Sequence, residues 1–184
     1  MKDTLAQIKD FADKAHGEQK RWYTSERYIV HPVRVMEICK EYTEDISVLA
    51  AALLHDVLED TPVTKEEIYT FLLTVMDKEK AEKTVHLVEE LTDVYIKSNY
   101  PKWNRRKRKA NEARRCEKTS EAAQTVKYAD IMDNCTEIAT QDPDFAKVFL
   151  FECKALLKKI PKGDNRLYLR TIESINSCIQ QLKR

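Results

Sequence analysis

The sequence predicts an all-α protein folded as a single compact multi-helical domain. Three observations point there. Only two glycines occur in 184 residues, too few for the tight hairpins of a sheet protein. Long stretches rich in Ala, Leu, Glu and Lys, which lose little on entering a helix, dominate the chain. Prolines and short polar residues fall where helices begin.

Each element follows from local signals. Leu5, Ile8, Phe11, Ala12 and Ala15 recur with the helical period and predict a helix over 3–16. Pro32 suits the start of a helix at 32–42. Asp45 can cap the next, 46–58, which runs through His55. Thr64-Lys65-Glu66-Glu67 is a capping box opening 64–74, with Ile68, Phe71 and Leu72 along it. Composition predicts helices at 77–93, 103–118 and 120–140. Asp142-Pro143 reads as an N-cap and first helical residue for 143–160, where Val148, Phe149, Phe151, Leu156 and Leu157 keep the period less strictly. A last helix spans 165–183. With no linker-like stretch and no internal repeat, residues 1–184 are expected to form one domain. The part from 141 to 184 is expected to close the core, and it could also form a homodimer surface.

Charged residues make up 34% of the chain, but their signs cancel to a net +1. Bulk charge therefore predicts neither a nucleic-acid binder nor an acidic tail, and any binding charge must be local. Five scattered cysteines (Cys39, Cys116, Cys135, Cys153 and Cys178) form no close pair. With no signal peptide and no bilayer-length apolar run, they read as reduced thiols of a cytoplasmic protein with no membrane partner.

The chemistry concentrates in Leu53-Leu54-His55-Asp56-Val57-Leu58-Glu59-Asp60. His55 and Glu59 are four apart, as are Asp56 and Asp60, so a continuous helix projects a His-Asp pair and a Glu-Asp pair one turn apart. The first pair can hold a divalent cation and the second can manage a water. One helix cannot complete a cation's shell. His31, just before Pro32, and Asp130, in an apolar-periodic helix, are the positions that stand out to complete it. Lys127, Asp130 and Asn134 share a helical face, and a core-side Asp130 must meet a cation to be tolerated.

These residues resemble a known family. His31, His55-Asp56 and Asp130 follow the ligand order of the HD phosphohydrolase superfamily. The extension to Glu59-Asp60 resembles its (p)ppGpp 3′-pyrophosphohydrolases, the RelA/SpoT-homologue branch. Phe11-Ala12-x-x-Ala15-His16-x-x-Gln19-x-Arg21, Tyr28-x-x-His31-Pro32, Leu91-Thr92-Asp93 and Lys127-x-Ala129-Asp130-x-x-x-Asn134 resemble further motifs of that branch. The matches cover about residues 8–140, and the length is similar to the small, Mesh1-like alarmone hydrolases.

The resemblance implies an all-helical HD domain and one divalent metal, Mn²⁺, held by His31, His55, Asp56 and Asp130. It implies an enzyme that hydrolyses the 3′-diphosphate of ppGpp or pppGpp to GDP or GTP and pyrophosphate, with Glu59 and Asp60 as the catalytic pair. Arg21 matches a position contacting the guanine, Tyr28 lies at the edge of the nucleotide pocket, and Asn134 matches a position near the ribose. Lys127 either neutralises phosphate or pairs with Asp130. Three departures flank the expected pocket: Ser25-Glu26-Arg27-Tyr28 for the usual Gly-x-Pro-Tyr, Trp22 for a basic residue, and Tyr128 for a leucine. They keep open a related enzyme acting on another 3′-phosphorylated nucleotide, with NADPH as the example, or a catalytically silent nucleotide-binding module. The segment Lys102–Arg115 carries eight basic residues against Glu112. It reads as a solvated face, as a phosphate-capture surface, or as an RNA contact using Trp103, although no recognised nucleic-acid motif is present.

Overall fold

The structure, a computed structural model, describes residues 2–183. It is all-α, as the composition predicts, and the chain divides at Thr92/Asp93 into two compact units. The first contains α1 (Lys2–His16), α2 (Val30–Lys40), α3 (Ile46–Leu54), α4 (Val57–Asp60), α5 (Lys65–Val75) and α6 (Lys78–Leu91). The second contains α7 (Arg105–Cys116), α8 (Glu121–Gln141), α9 (Pro143–Leu157) and α10 (Asn165–Gln181).

In the first unit α3 is the hub. Every residue from Ser47 to Leu54 is buried, which is the signature of a helix apolar on all sides, and it packs against α1, α2 and α6. Its N-cap is Asp45, which accepts from the Ser47 amide. The capping box at Thr64 and Glu67 opens α5 as expected. Gly17 ends α1 in the left-handed region at φ 56°, where a side chain would be strained. The chain then pairs briefly with itself through Lys20 and Arg27. Arg27 also ties this loop back to α1 through Asp13 at 3.0 Å and the Gly17 carbonyl at 3.1 Å. Arg27, within the Ser25-Glu26-Arg27-Tyr28 departure, thus holds a local bridge.

Two expectations change here. The helix expected at 46–58 is interrupted at His55 and Asp56, giving α3 and the short α4. The cause is the His55 ring: its Nδ1 donates to the Ala52 carbonyl at 2.8 Å, the acceptor an unbroken helix would offer to the Asp56 amide. His31 does not precede its helix but sits in the first turn of α2, which starts at Val30. Pro32 is in the same turn, where its missing N–H costs nothing.

In the second unit α8 packs against α9 and α10, and α7 touches α9. Asp142 closes α8 and caps α9 by accepting from the Phe145 amide at 3.1 Å. Tyr128 on α8 is fully buried. Its hydroxyl donates to the Ile160 carbonyl and accepts from the Gly163 amide at 3.1 Å, so it pins the turn between α9 and α10. A Cβ at Gly163 would fall 2.6 Å from Tyr128 Cε2. The Tyr128 departure, expected to flank the nucleotide pocket, is therefore a packing substitution: its hydroxyl serves the backbone of its own unit.

Candidate metal centre and its surroundings

The interruption of α3 turns His55 and Asp56 toward α2. His55 Nε2 lies 3.2 Å and His31 Nε2 3.6 Å from Asp56 Oδ2, and the two rings meet edge to face at 5.2 Å. One ligand atom from each residue lies within 4.8 Å of the others. Both histidines are buried, at 1% and 3% exposure, which keeps bulk water from competing for them.

The chemistry of this donor set fits a divalent metal. A carbonyl can only accept, so the contact with Ala52 places the His55 proton on Nδ1 and leaves the lone pair of Nε2 facing the Asp56 carboxylate. A backbone carbonyl behind a ligating imidazole is a common means of fixing that tautomer. Lone pairs of two imidazoles and a carboxylate directed at one point form a nitrogen–oxygen site suited to a borderline or hard divalent cation.

The carboxylate is held from a second side. Tyr28 donates its hydroxyl to Asp56 Oδ2 at 2.8 Å, with the Asp60 charge close by. Burial first, then the Asp56 charge, raise the Tyr28 pKa far above that of a free phenol, so the hydroxyl keeps its proton. Glu59 and Asp60 lie on α4, one turn beyond the His-Asp pair, and both have exposed surface. The Asp60 carboxyl itself is partly desolvated. That desolvation, with the nearby Asp56 charge second, raises its pKa above the ordinary carboxylate range, against the lowering effect of the Tyr28 hydroxyl. Arg21 places its guanidinium 5.5 Å from the centre of the Tyr28 ring. Trp22 is 90% exposed.

The remaining expected residues form a second group, on α8. Asp130 is buried and meets its cation in Lys127, at 3.0 Å from Oδ2, while Asn134 donates to Oδ1 at 2.6 Å. Asp93 joins them, 3.9 Å from Lys127 and 3.3 Å from Lys109. Burial works against the Lys127 charge, yet the Asp130 and Asp93 carboxylates hold its pKa well above the ordinary lysine value. Of the two roles open to Lys127, the carboxylate pair is the one seen.

Much of the basic segment is engaged within its unit. Arg105 makes a two-point ion pair with Glu152 at 2.8 and 2.7 Å, and Arg108 donates to the Trp103 carbonyl. Lys107 sits 4.0 Å over the Trp103 ring. Glu112 is buried and accepts from the Val94 and Tyr95 amides at 3.0 and 2.9 Å, anchoring the chain just after Asp93.

His16 and Gln19 lie in the same motif as Arg21, with no role evident from the sequence. The structure stacks the buried His16 ring on Tyr28 at 4.5 Å and tethers its Nδ1 to Gln19 at 2.9 Å. Their place in the same motif as Arg21 was the available signal. All five cysteines are free and buried, and no helix among the described residues is long and apolar enough to cross a membrane.

Known proteins resemble this chain over most of its length. The HD domain family model matches residues 28–135. Guanosine-3′,5′-bis(diphosphate) 3′-pyrophosphohydrolase MESH1 of Xenopus tropicalis is 32% identical over 143 residues, covering 76% of this chain and 72% of that protein. The guanosine-3′,5′-bis(diphosphate) 3′-pyrophosphohydrolase of Aquifex aeolicus is 44% identical over 86 residues, 46% of this chain and 11% of that protein. A probable enzyme of the same name from Mycoplasma pneumoniae is matched over 82% of this chain at 29% identity, again over only 20% of its length. The chain thus spans a fifth or less of those two longer bacterial relatives. Among solved structures, that of a metazoan ortholog of SpoT that hydrolyzes ppGpp has a TM-score of 0.76, covering 97% of this chain and 94% of the other. At 23% identity that likeness speaks for the fold. With the family match running through His31, His55-Asp56 and Asp130, and a MESH1 protein related over most of both lengths, the chain belongs to the HD-domain family, in its MESH1-like branch.

Proposed function

We propose that this chain is a metal-dependent phosphohydrolase that removes the 3′-diphosphate of ppGpp or pppGpp, giving GDP or GTP and pyrophosphate. The observation that carries the reading is the convergence of His31, His55 and Asp56 on one point, with a carboxyl of raised pKa, Asp60, one turn away. Relatives named for this activity support the substrate. A bound divalent ion supplies a polarised phosphoryl oxygen and an acidified water. Mn²⁺ is the proposed ion, on the family resemblance, and Asp130 the proposed fourth ligand, on motif order.

The chain's own residues supply the rest. Asp60 takes the proton of the attacking water, a role suited to a base whose pKa is shifted toward neutrality, and Glu59 orients that water. Arg21 offers a planar cation to the guanine, with Tyr28 beneath it at the pocket edge, and Asn134 serves the ribose. Lys127 acts by holding Asp130 in place. Residues 1–184 are proposed to work as one HD phosphohydrolase domain, a reading supported by a family match that crosses the Thr92–Asp93 boundary. A cytoplasmic location accords with five free thiols. Exposed Val148 and Phe151 on α9 and Leu169 on α10 suggest a homodimer surface in the C-terminal part.

A second substrate reading is favoured by Trp22, whose ring is 90% exposed one residue after Arg21. A flat apolar surface there suits a second aromatic ring in the substrate, as in NADPH; its extra phosphate sits on the ribose 2′ oxygen, which corrects the expectation of a 3′-phosphorylated nucleotide for that example. The test is incubation with ppGpp and, in parallel, NADPH, with Mn²⁺ or with chelator, and product separation by anion exchange. Metal-dependent GDP and pyrophosphate from ppGpp support the first reading, and inorganic phosphate from NADPH alone supports the second. No turnover of either by metal-loaded protein points to a silent nucleotide-binding module.

A further inference from the structure

Tyr28 stands in the first unit between two groups that the proposed reaction needs. Its hydroxyl donates to Oδ2 of Asp56, the same oxygen that faces both His31 Nε2 and His55 Nε2. The Asp60 carboxyl lies near enough to act on it electrostatically. One phenol oxygen therefore bonds the carboxylate on which both imidazoles converge. Asp56 caps α4 and Asp60 ends it, with the Asp60 amide bonded to the Asp56 carbonyl at 2.9 Å, so one helical turn carries both carboxylates.

The Tyr28 ring is itself fixed. His16 stacks on it at 4.5 Å with 29° between the planes, and Gln19 holds the imidazole through Nδ1 at 2.9 Å. The other imidazole nitrogen, Nε2, is buried with no hydrogen-bond partner among the described residues. What His16 does here it does through its face, against Tyr28. From the backbone, Tyr28 is held by its amide to the Gln19 carbonyl at 2.9 Å, so both halves of the clamp come from the same short loop.

We propose that Tyr28 is a positioning residue: clamped by His16 and Gln19, its hydroxyl holds the Asp56 carboxylate in the orientation that the metal needs. This rests on the metal reading given above and departs from a role for Tyr28 as a nucleotide contact. Hydrogen bonds from outside the ligand shell onto ligating side chains usually matter 10- to 100-fold in metal affinity, that is about 10–100 in Kd.

The test uses the full chain stripped of metal, titrated with Mn²⁺ by calorimetry, as wild type, Tyr28→Phe and His16→Ala. Tyr28→Phe keeps the ring and its stacking and is expected to weaken Mn²⁺ binding by about 10- to 100-fold. His16→Ala, which leaves the hydroxyl but removes its backing, is expected to fall between Tyr28→Phe and wild type. At saturating Mn²⁺, Tyr28→Phe should lower kcat for ppGpp while KM stays near wild type. Mn²⁺ affinity of Tyr28→Phe within twofold of wild type overturns the inference. So does a raised KM with unchanged kcat, the mark of a substrate contact. Wild-type protein that takes up no Mn²⁺ at all removes the metal reading itself, a failure distinct from equal binding by both proteins.

Discussion

Tyr128→Phe deletes one oxygen atom from the interior of the second unit and nothing else. That oxygen donates to the Ile160 carbonyl and accepts from the Gly163 amide. Tyr128 and Ile160 are both fully buried, and Gly163 is half-buried. The stranded carbonyl cannot reach water without opening the turn, which costs about 2 kcal/mol, whereas the amide can be partly rehydrated, for about 1 kcal/mol. Together they amount to about 3 kcal/mol, which for a chain of this length lowers Tm by roughly 6–12 °C. The assay is thermal unfolding of the metal-free protein followed by circular dichroism. It is paired with KM for ppGpp measured well below the transition. The expected result is the drop in Tm with KM unchanged. A Tm within 2 °C (about 0.5 kcal/mol) of wild type would refute the anchoring role. A change in KM beyond about threefold, or 0.7 kcal/mol, would return Tyr128 to the nucleotide pocket.

Other perturbations separate chemistry from support. His55→Ala removes the imidazole and is expected to leave purified protein without stoichiometric divalent metal, as read by elemental analysis, and without hydrolase activity; metal retained at wild-type levels would place the centre elsewhere. Asp60→Asn is expected to lose about 10²- to 10⁴-fold in kcat with no loss of Tm at pH 8. The sign follows from the raised pKa: the folded state binds the Asp60 proton more tightly than the unfolded chain. Stability from this group is therefore present below the unfolded carboxylate pKa and lost as pH rises through the folded one. An amide escapes that loss, and a lower Tm for Asp60→Asn at pH 8 counts against it. Lys127→Met leaves Asp130 and Asp93 without their shared ammonium and should cost about 3 kcal/mol or more by denaturant titration. Because the Lys127 pKa is raised, its contribution is fully present below the unfolded lysine pKa and fades only as pH climbs through the folded value. Between pH 6 and 9 the difference from wild type is expected to be constant; a difference that shrinks within that window would refute the pairing.

What the sequence by itself determined is local. The caps at Asp45, Thr64 and Asp142 act as read, and Lys127, Asp130 and Asn134 share a face of α8 and contact one another. Each of these depends on residues within about one helical turn, so spacing along the chain encodes it. The adjacency of His55 and Asp56 is likewise local, and both belong to the cluster with His31. Only tertiary structure decided the rest. Tyr28 meets Asp56 across 28 residues, and Tyr128 meets the Ile160 carbonyl across 32; no periodicity links positions so far apart. The break at His55 belongs to the same class, although its hydrogen bond spans only three residues. Helical periodicity assumes that each carbonyl serves the amide four residues on, and the Ala52 carbonyl instead receives a side chain turned toward His31 by the packing of α2 on α3.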